Sequence, residues 1–511
     1  MKILITFLLF CQIMEILKKE IKRNYDYLNE NFEIKPYFIL YRLDKVNFYY
    51  LKYSDGNLTE EKKTISRIPY VELRVGDYKN DGVNTKFPQT FLTNEDFQNF
   101  LYPKLPIEDD EEGIKNVFWK ITDFAYKNAV SDFYEKKRKE TAFFEEDTSY
   151  SFSKEEIGKY EEKINFEMDD KDVKRNFEKF LKGINSKGVY NFKIHFYKIN
   201  IERIILNTEG TEILRERDYF LLKIEIFDFD KEGKYYQNSR EFFGYKISEI
   251  LNEENLRETN KFFKDFKEYV NGEEIKEYKG DLILRGISSA KFISNLVKNN
   301  LILSKENYEI LKNFFEKINK KITGNIKIYD KPDIRYFNGK PLSGYLVYDD
   351  EGVKGKEVIL IDNGILKNFL LKREPVYNFS NSNGHARCAL YSKPFPFITN
   401  LFIYGEEKEE LKDSILILED IEFKSPLSFE VKKGFISYKN GNKKEIKNII
   451  FVFSSFEEMW EKIKGASSNL NSYNFFEENP YIPFSITCGD IFLSDVYGKR
   501  ILKKRIKNGR Y

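Results

Sequence analysis

Histidine and cysteine are the side chains that most often serve zinc binding and nucleophilic chemistry, and this sequence has few of them. They are two histidines and three cysteines: His195, His385, Cys11, Cys388 and Cys488. His385 and Cys388 form the one close pair, and on a helical turn they could present two ligands to a zinc ion. Two ligands do not hold zinc stably, so Cys488, His195 or distant carboxylates would have to complete such a site.

The residues around this pair favour a loop over a helical turn. An Asn-x-Asn-Gly run ends at Gly384, and a Pro-Phe-Pro run follows at 394–396. Asparagine, glycine and proline set turns and interrupt helices. We therefore expect Asn383 and Gly384 to fix the backbone of a loop, in which Cys388 is a buried, unreactive cysteine.

The other histidine and the last cysteine have ordinary structural explanations. His195 alternates with apolar residues, beside Lys193 and Tyr197, and this is the pattern of the polar face of a strand. We expect it to face solvent or to be hydrogen-bonded, rather than to act as a base. Cys488 ends an apolar run and is expected in the core. A nucleophile formed by Cys388 or Cys488 with His195 would depend entirely on the fold, because no local sequence supports it.

The acidic triplet at 349–351 is a candidate cation site. Clustered carboxylates can bind calcium or magnesium, but this spacing fits no known calcium loop. Gly352 follows the triplet directly, and this favours a turn between strands. No phosphate-binding loop or dinucleotide glycine pattern is present in the sequence.

The composition excludes several classes of protein. Hydrophobic residues make up 41% and aromatic residues 16%, which excludes a disordered chain. Lys and Arg number 85 against 83 Asp and Glu, so the formal charge of +2 indicates no nucleic-acid partner. Three cysteines cannot form a disulfide framework, and this fits a reducing compartment.

The N-terminal segment 1–13 is apolar and has three open interpretations. It could be the core of a short export signal, the first turns of a buried helix, or sequence upstream of a true start at Met14. No small-x-small cleavage site follows it, and the run is too short to span a bilayer. We expect no stable membrane span and a cytoplasmic protein, with export through this segment as the alternative.

The hydrophobic periodicity predicts an α+β protein of two domains. Residues 14–275 form an α+β domain, in which helices at 14–31, 113–139 and 255–270 pack on a mainly antiparallel sheet. Residues 276–511 form a strand-rich domain. In it we expect a short helix from Ser288, with that serine as N-cap, and hairpins at Asn363-Gly364 and Asn440-Gly441.

Residues 344–403 resemble the C-terminal domain of the TldD/PmbA family, zinc peptidases also called modulators of DNA gyrase. The stretches that carry the resemblance are 349–352, 361–366 and the loop 382–387. Residues 36–42 and 71–78 are similar to a bacterial branch, the metallopeptidase TldD-related proteins. Residues 207–210 resemble a turn of the family's first domain, and 280–284 resemble the strand before its metal helix. The resemblance implies a barrel-like C-terminal domain.

The sequence departs from the family at the metal helix. Catalytic members bind zinc through His-Glu-x-x-x-His on this helix together with a cysteine, whereas the equivalent residues 290–298 include no His, Cys, Asp or Glu. We therefore assign no catalytic residue, no metal ligand and no cofactor, although zinc is expected in the catalytic relatives. The family's PmbA-type members also lack the motif, and they pair with a catalytic TldD subunit.

The resemblance implies a peptidase family, while the missing motif leaves enzymatic activity open. Our first interpretation is a non-catalytic peptide-binding or partner subunit, in a homodimer or in a heterodimer with a TldD-type subunit. Family members hold extended peptides in a groove, so the candidate groove or loop residues are Asn383, Gly384, His385, Arg387 and Cys388. Aromatic residues around them could line the groove or pack in the core: Tyr377, Phe379, Phe395 and Phe397. The alternatives are an active peptidase with a site built from His385, Cys388 and distant residues, and an exported interaction protein that keeps only the fold.

Overall fold

A computed structural model describes residues 2–54, 56–81, 105–142, 150–164, 169–185, 191–390, 392–406, 414–477 and 482–501. These residues form a mixed α+β structure, as the sequence predicts. The eight helices of the described residues are α1 (Lys2–Asn31), α2 (Glu111–Ala142), α3 (Asp170–Lys182), α4 (Ile247–Ile250), α5 (Glu253–Asn271), α6 (Ile287–Asn300), α7 (Tyr308–Phe315) and α8 (Phe456–Lys462). Among the described residues, no helix is long and apolar enough to cross a membrane.

The N-terminal half is built around one large sheet. Its strands are β1 (Pro36–Ser54), β2 (Asn57–Val75), β3 (Lys159–Ile164), β4 (Asn191–Asn207), β5 (Glu212–Phe229) and β6 (Tyr235–Gly244). The spatial order is β2-β1-β4-β5-β3, and β6 pairs with the other end of β5. Every pairing is antiparallel except that of β3 with β5. The predicted mainly antiparallel sheet is therefore confirmed.

Helices cover one face of this sheet and leave part of the other face open. At one end, α1 and α2 pack on Ile39, Tyr41 and Leu206. At the other end, α3 and α5 pack on Phe196 and Leu222. Because side chains alternate along a strand, the neighbouring residues of β1, β4, β5 and β6 point to the opposite side. We call that side the open face.

The C-terminal half contains a closed barrel and a second sheet. Its strands are β7 (Glu273–Glu274), β8 (Glu277–Leu284), β9 (Lys327–Asp330), β10 (Tyr336–Phe337), β11 (Lys340–Pro341), β12 (Val358–Asp362), β13 (Ile365–Leu366), β14 (Ala386–Arg387), β15 (Phe395–Pro396), β16 (Asn400–Tyr404), β17 (Ser414–Ser425), β18 (Ser428–Tyr438), β19 (Lys443–Lys447), β20 (Ile449–Val452), β21 (Ile463–Ala466), β22 (Asn471–Glu477), β23 (Ile482–Cys488) and β24 (Ile491–Arg500). The ring β17-β8-β24-β20-β18 closes through the pairing of β18 with β17. The second sheet runs β13-β12-β9-β16-β23-β22.

Helix α6 packs into the largest hydrophobic core of the protein. Phe292, Ile293 and Leu296 of the helix are fully buried against barrel side chains such as Leu418 and Phe429. Eight of its 14 residues are Ser, Lys or Asn, and most of its residues are buried, so its polar groups must find partners inside the fold. The helix contacts β17 of the barrel and β23 of the second sheet, so it lies inside the C-terminal half. Its Lys291 side chain stays partly exposed.

Several local predictions need correction. The helix predicted at 14–31 begins at Lys2, so the apolar N-terminal segment and the amphipathic stretch form one helix. Ser288 is not an N-cap, because the cap position is Gly286 and the Ser288 hydroxyl donates to the carbonyl oxygens of Arg285 and Leu418. The second strand of the Asn363-Gly364 hairpin is only two residues long. The boundary at 275/276 stays a prediction; β7, just before it, pairs with β19.

Candidate functional site

A groove separates the open face of the N-terminal sheet from the barrel. Its volume is about 860 Å³. The sheet side is lined by alternating residues of three neighbouring strands: Asn191, Lys193, Glu225, Phe227, Phe229, Tyr235, Gln237 and Ser239. The barrel side contributes Lys291 from α6 and Glu422 from β17. The groove thus combines half-exposed aromatic rings with charged side chains of both signs.

An aromatic cluster continues the open face along β1 and β4. The ring of Tyr50 lies 5.0 Å from that of Tyr197, and Phe48 lies 6.0 Å from Tyr197. His195 belongs to the same cluster, with its Nδ1 atom 2.8 Å from the Tyr50 hydroxyl and its Nε2 atom 3.3 Å from Glu225. Burial lowers the pKa of His195, and the Glu225 carboxylate opposes this shift only in part. The prediction of a hydrogen-bonded histidine on the polar face is confirmed.

The barrel side of the groove is fixed by an ion pair at helix α6. Lys291 Nζ lies 2.6 Å from Asp420 Oδ1 and 3.0 Å from the carbonyl oxygen of Ile421. The amide of Asn238, on β6, donates to the other oxygen of Asp420 at 3.0 Å. Burial acts to raise the pKa of Asp420, but the nearby Lys291 ammonium outweighs it and the pKa is lowered. This carboxylate therefore links the N-terminal sheet to the barrel.

The residues of α6 do not suit a metal ion. The helix has no His, Cys, Asp or Glu side chain. Its two lysines point their ammonium groups to acids on other elements, Lys291 to Asp420 and Lys298 to Glu477 at 2.9 Å. Across the described part of the chain, no three His, Cys, Asp or Glu side chains are grouped so that they could hold a metal. The donor set that zinc needs is therefore lacking at this helix.

The loop predicted as a groove or loop site is buried. Asn383, His385, Arg387 and Cys388 are each at most 9% exposed, and Gly384 is buried with them. The positive φ of Gly384, 74°, confirms that this position sets the backbone. These residues are buried within the C-terminal half and at its contact with the N-terminal sheet, and they do not line the groove beside α6.

His385 and Cys388 do not share one site. His385 Nδ1 lies 3.0 Å from the carbonyl oxygen of Asn383, and its Nε2 lies 3.4 Å from the buried carboxylate of Asp330. Cys388 instead contacts the Arg42 guanidinium at 2.6 Å and Asp350 at 3.3 Å. Burial raises the pKa of the Cys388 thiol to about 12, although Arg42 acts to lower it. The thiol is therefore neutral at pH 7 and is not an activated nucleophile.

The acidic triplet forms the turn that the sequence predicts, but its carboxylates point inward. Asp349 accepts hydrogen bonds from the backbone N–H groups of Glu351, Val353 and Ala386. Asp350 pairs with arginines, and Glu351 accepts from the backbone N–H of Arg373 at 2.8 Å. The triplet therefore anchors the loop 382–388 rather than presenting a surface cation site.

Cys488 and the aromatic residues near the loop belong to the core, as the ordinary interpretation predicts. Cys488 is 2% exposed, and burial raises the pKa of its thiol well above the ordinary value. Phe397 is buried and packs edge-on against Phe484 at 5.5 Å. Tyr377 stacks on Tyr308 at 4.3 Å. The side chain of Cys11 lies outside the described residues.

The groove residues of β5, β6 and α6 were not predicted from the sequence. The alternation of Lys193, His195 and Tyr197 did place three residues on the correct outer face. Nothing local, however, indicated that β6 pairs with β5 and that Asn238 reaches Asp420, some 180 residues away in sequence. Such pairings depend on the long-range fold.

Comparison with known proteins gives matches over the whole fold and over one domain. Residues 279–497 match the family model described as the PmbA/TldA metallopeptidase C-terminal domain. The solved structure of TldE from Thermococcus kodakarensis superimposes with a TM-score of 0.64 over 95% of this chain and 100% of that one. Its sequence identity of 13% makes this a likeness of fold.

Two archaeal relatives match over short stretches. A metalloprotease of Methanocaldococcus jannaschii is 36% identical over 81 residues, and a metalloprotease of Archaeoglobus fulgidus is 27% identical over 109 residues. The matched stretches cover 14% and 20% of this chain. They span only 18% and 24% of the relatives' own lengths.

Proposed function

Because this chain belongs to the TldD/PmbA family, we propose that it is a subunit that binds extended peptides in the groove beside α6 without hydrolysing them by zinc chemistry. The observation that carries the proposal is the pair of lysines on α6. Catalytic members of the family are expected to hold zinc on the equivalent helix. Here Lys291 and Lys298 place ammonium groups on that helix, and both are engaged with carboxylates.

Electrostatics support the absence of a metal at this helix. A divalent cation needs carboxylate, imidazole or thiolate ligands, and it is repelled by nearby ammonium groups. The buried carboxylate of Asp420 lies on the barrel side, and the Lys291 ammonium 2.6 Å away already pairs with it. Cys488, the one cysteine that ends a strand of the adjacent sheet, stays protonated because it is buried. The chemistry of the helix therefore favours a role in binding.

The groove supports peptide binding through its shape and its lining. Extended peptides are held by backbone hydrogen bonds to free strand edges and by pockets for alternate side chains. Strand β6 has a partner on one side, and Gln237 and Ser239 on it are exposed beside the groove. Phe227 and Tyr235 offer apolar surface of the kind that anchors binding partners. Lys193 and Glu225 supply charge of both signs for a peptide of mixed sequence.

A role as a partner subunit is supported by the missing metal ligands of α6. PmbA-type relatives lack the metal motif and pair with a catalytic subunit, so this chain would form a homodimer or a heterodimer with a TldD-type chain. Light scattering of the purified protein separates dimer from monomer. Purification of the tagged chain from its own cells, followed by mass spectrometry for a TldD-type chain, separates the two kinds of dimer.

The metal content tests the first part of the proposal. We expect a zinc-to-chain ratio near zero when the full-length protein is purified without chelators and measured by elemental analysis. A ratio near one, together with hydrolysis of casein that a chelator abolishes, would overturn it. Such a result would favour the assembled peptidase site, with His385 and Cys388 as the first residues to substitute, although both are buried here.

Peptide binding tests the second part. We expect a fluorescein-labelled pool of short random peptides to bind the chain, and Phe227→Ala with Tyr235→Ala to weaken binding by roughly tenfold, about 1.4 kcal/mol. The matched control is Trp119→Ala, which removes an aromatic ring 41% exposed on α2, on the covered side of the sheet. Equal affinities of the groove and control variants would contradict the assignment of the groove.

A further inference from the structure

A second feature lies where the N-terminal sheet meets the loop 382–390, away from the groove. It is a buried cluster of charged side chains: Arg42, Arg203, Arg215, Arg217, Arg387, Asp44, Asp350 and Glu162. The cluster joins β1, β4 and β5 to β14 and to the turn at 349–352. It holds five guanidinium groups against three carboxylates.

Four of the arginines pair with the three carboxylates. Asp44 accepts two hydrogen bonds from the Arg203 guanidinium, at 2.5 and 3.0 Å. Arg42 Nε lies 3.3 Å from the same carboxylate. Asp350 Oδ1 is shared by Arg203 at 2.6 Å and Arg215 at 2.7 Å. Its Oδ2 accepts the backbone N–H of Cys388 at 2.9 Å and the Cys388 thiol at 3.3 Å. No lone pair of Asp350 is left over for a fifth guanidinium.

Glu162 and Arg387 complete the charges of the cluster. Glu162 lies 2.5 Å from Arg217 Nη2 and accepts from its Nε at 2.6 Å. Arg387 donates to two carbonyl oxygens, those of Ile398 at 3.2 Å and Pro483 at 2.8 Å. Within the described ranges it makes no ion pair, although it is only 6% exposed. Arg387 is thus a buried cation whose partners are all neutral.

The cluster cannot remove its excess charge by proton transfer. Arginine keeps its proton in proteins. Burial raises the pKa of the Cys388 thiol to about 12, so this group does not supply a negative charge at neutral pH. Five arginines and three carboxylates leave an excess of two positive charges among side chains that are at most 10% exposed. Buried charge without compensation is strongly unfavourable, so a counter-charge is expected nearby.

A small cavity lies at the centre of this excess charge. Its volume is about 30 Å³, enough for one water molecule or one ion of similar size. Arg203, Arg215, Arg217 and Arg387 line it, and Asp350 is the single carboxylate among its lining residues. We propose that this cavity binds one halide ion, chloride under ordinary conditions, which compensates Arg387 and fastens the loop 382–390 to the N-terminal sheet.

Chloride-dependent stability tests the site. We expect the Tm of the full chain to rise by several degrees as sodium chloride replaces sodium gluconate at constant ionic strength, because a ligand bound only by the native state stabilises it. Arg387→Gln should abolish this rise. The control Arg74→Gln alters an arginine that is equally buried but paired with Glu72, Asp81 and Glu374, so it should lower Tm and keep the chloride response.

Diffraction from crystals grown in sodium bromide tests the site in the unaltered protein, whether or not either variant folds. We expect an anomalous bromine peak inside the cavity, in contact with the guanidinium of Arg387. A cavity that holds only water in saturating bromide would overturn the proposal. A Tm that rises equally in gluconate and chloride would overturn it too, since it would show a general salt effect.

Discussion

Arg203 Nη1 lies 2.6 Å from Asp350 Oδ1, and this buried ion pair joins strand β4 of the N-terminal sheet to the turn at 349–352. Arg215 approaches the same oxygen at 2.7 Å. Burial acts to raise the pKa of Asp350, but the surrounding arginines hold it well below the ordinary value. The carboxylate is therefore ionised at neutral pH.

Asp350→Asn should destabilise the protein by about 3–5 kcal/mol, because it leaves the buried Arg215 guanidinium without a counter-charge and removes one of the two carboxylates that pair with Arg203. The midpoint of urea unfolding measures this loss. The control Asp26→Asn breaks a surface pair with Lys22 and should leave the midpoint nearly unchanged. Equal midpoints for the two variants would show that the Asp350 pairs do not hold the halves together.

Glu351 should make the protein less stable as the pH rises. Burial, and then the neighbouring Glu72 carboxylate, raise the pKa of Glu351 from 4.5 to about 7. A raised pKa means that the folded state binds the proton more tightly than the unfolded state does. The free-energy cost of ionising buried Glu351 therefore grows between pH 4.5 and 7 and stays constant above pH 7. Glu351→Gln should therefore have a higher Tm than the unaltered protein at pH 8 and an equal Tm near pH 4.5.

Glu374→Gln is the matched control, since Glu374 lies in the same buried region and its pKa is shifted in the opposite direction. Burial acts to raise its pKa, but Lys372, Lys393 and Arg74 lower it well below 4.5. Its stabilising contribution is present above pH 4.5 and is lost as the pH falls through the folded-state pKa. Glu374→Gln should lower Tm at pH 8, with a deficit that shrinks in acid. A Tm for Glu351→Gln below that of the unaltered protein at pH 8 would contradict the assignment.

The two lysines of α6 should differ in their importance for stability. Lys291→Met leaves the buried Asp420 carboxylate without its cation and should cost about 1.5–3 kcal/mol at pH 7. Because Lys291 lowers the pKa of Asp420, the deficit should shrink as the pH falls below 3.8, through the lowered folded-state pKa. Lys298→Met removes a half-exposed pair with Glu477 and should cost at most about 1 kcal/mol. If the two variants lose the same free energy of unfolding in urea, the burial of Asp420 does not determine the size of the loss.

The sequence predicted local structure well where the pattern was strong. The Asn363-Gly364 turn has φ values of 48° and 80°, as an Asn-Gly hairpin requires. The alternation of apolar and polar residues around His195 predicted that it lies on the polar face of a strand, and it lies on the open face of β4. The buried position of Cys488 also followed from its apolar neighbours.

The features that the sequence could not supply all depend on distant contacts. Arg42 and Cys388 are separated by 346 positions, yet they form a hydrogen bond in the interior. Charged residues are usually exposed to solvent, so nothing in the local sequence indicated that Asp350 and Arg387 are buried. Only the assembled fold shows that these charges face one another.

The loop 382–388 should be sensitive to substitution at Gly384 because it is a structural element. A Cβ atom there would collide with the backbone carbonyl oxygen of Lys354, and its φ of 74° disfavours L side chains. Gly384→Ala should therefore destabilise the protein by about 2–5 kcal/mol, which combines left-handed strain with overpacking.

Gly441 is the matched control for this prediction. It also has a positive φ, 85°, but an added Cβ would meet no atom within 4 Å. Gly441→Ala should cost only the strain, about 1–2 kcal/mol. Urea unfolding of both variants separates collision from strain. If the two losses are equal, the tight contact of Gly384 with the backbone at Lys354 contributes nothing, and the loop is less rigidly held than its burial indicates.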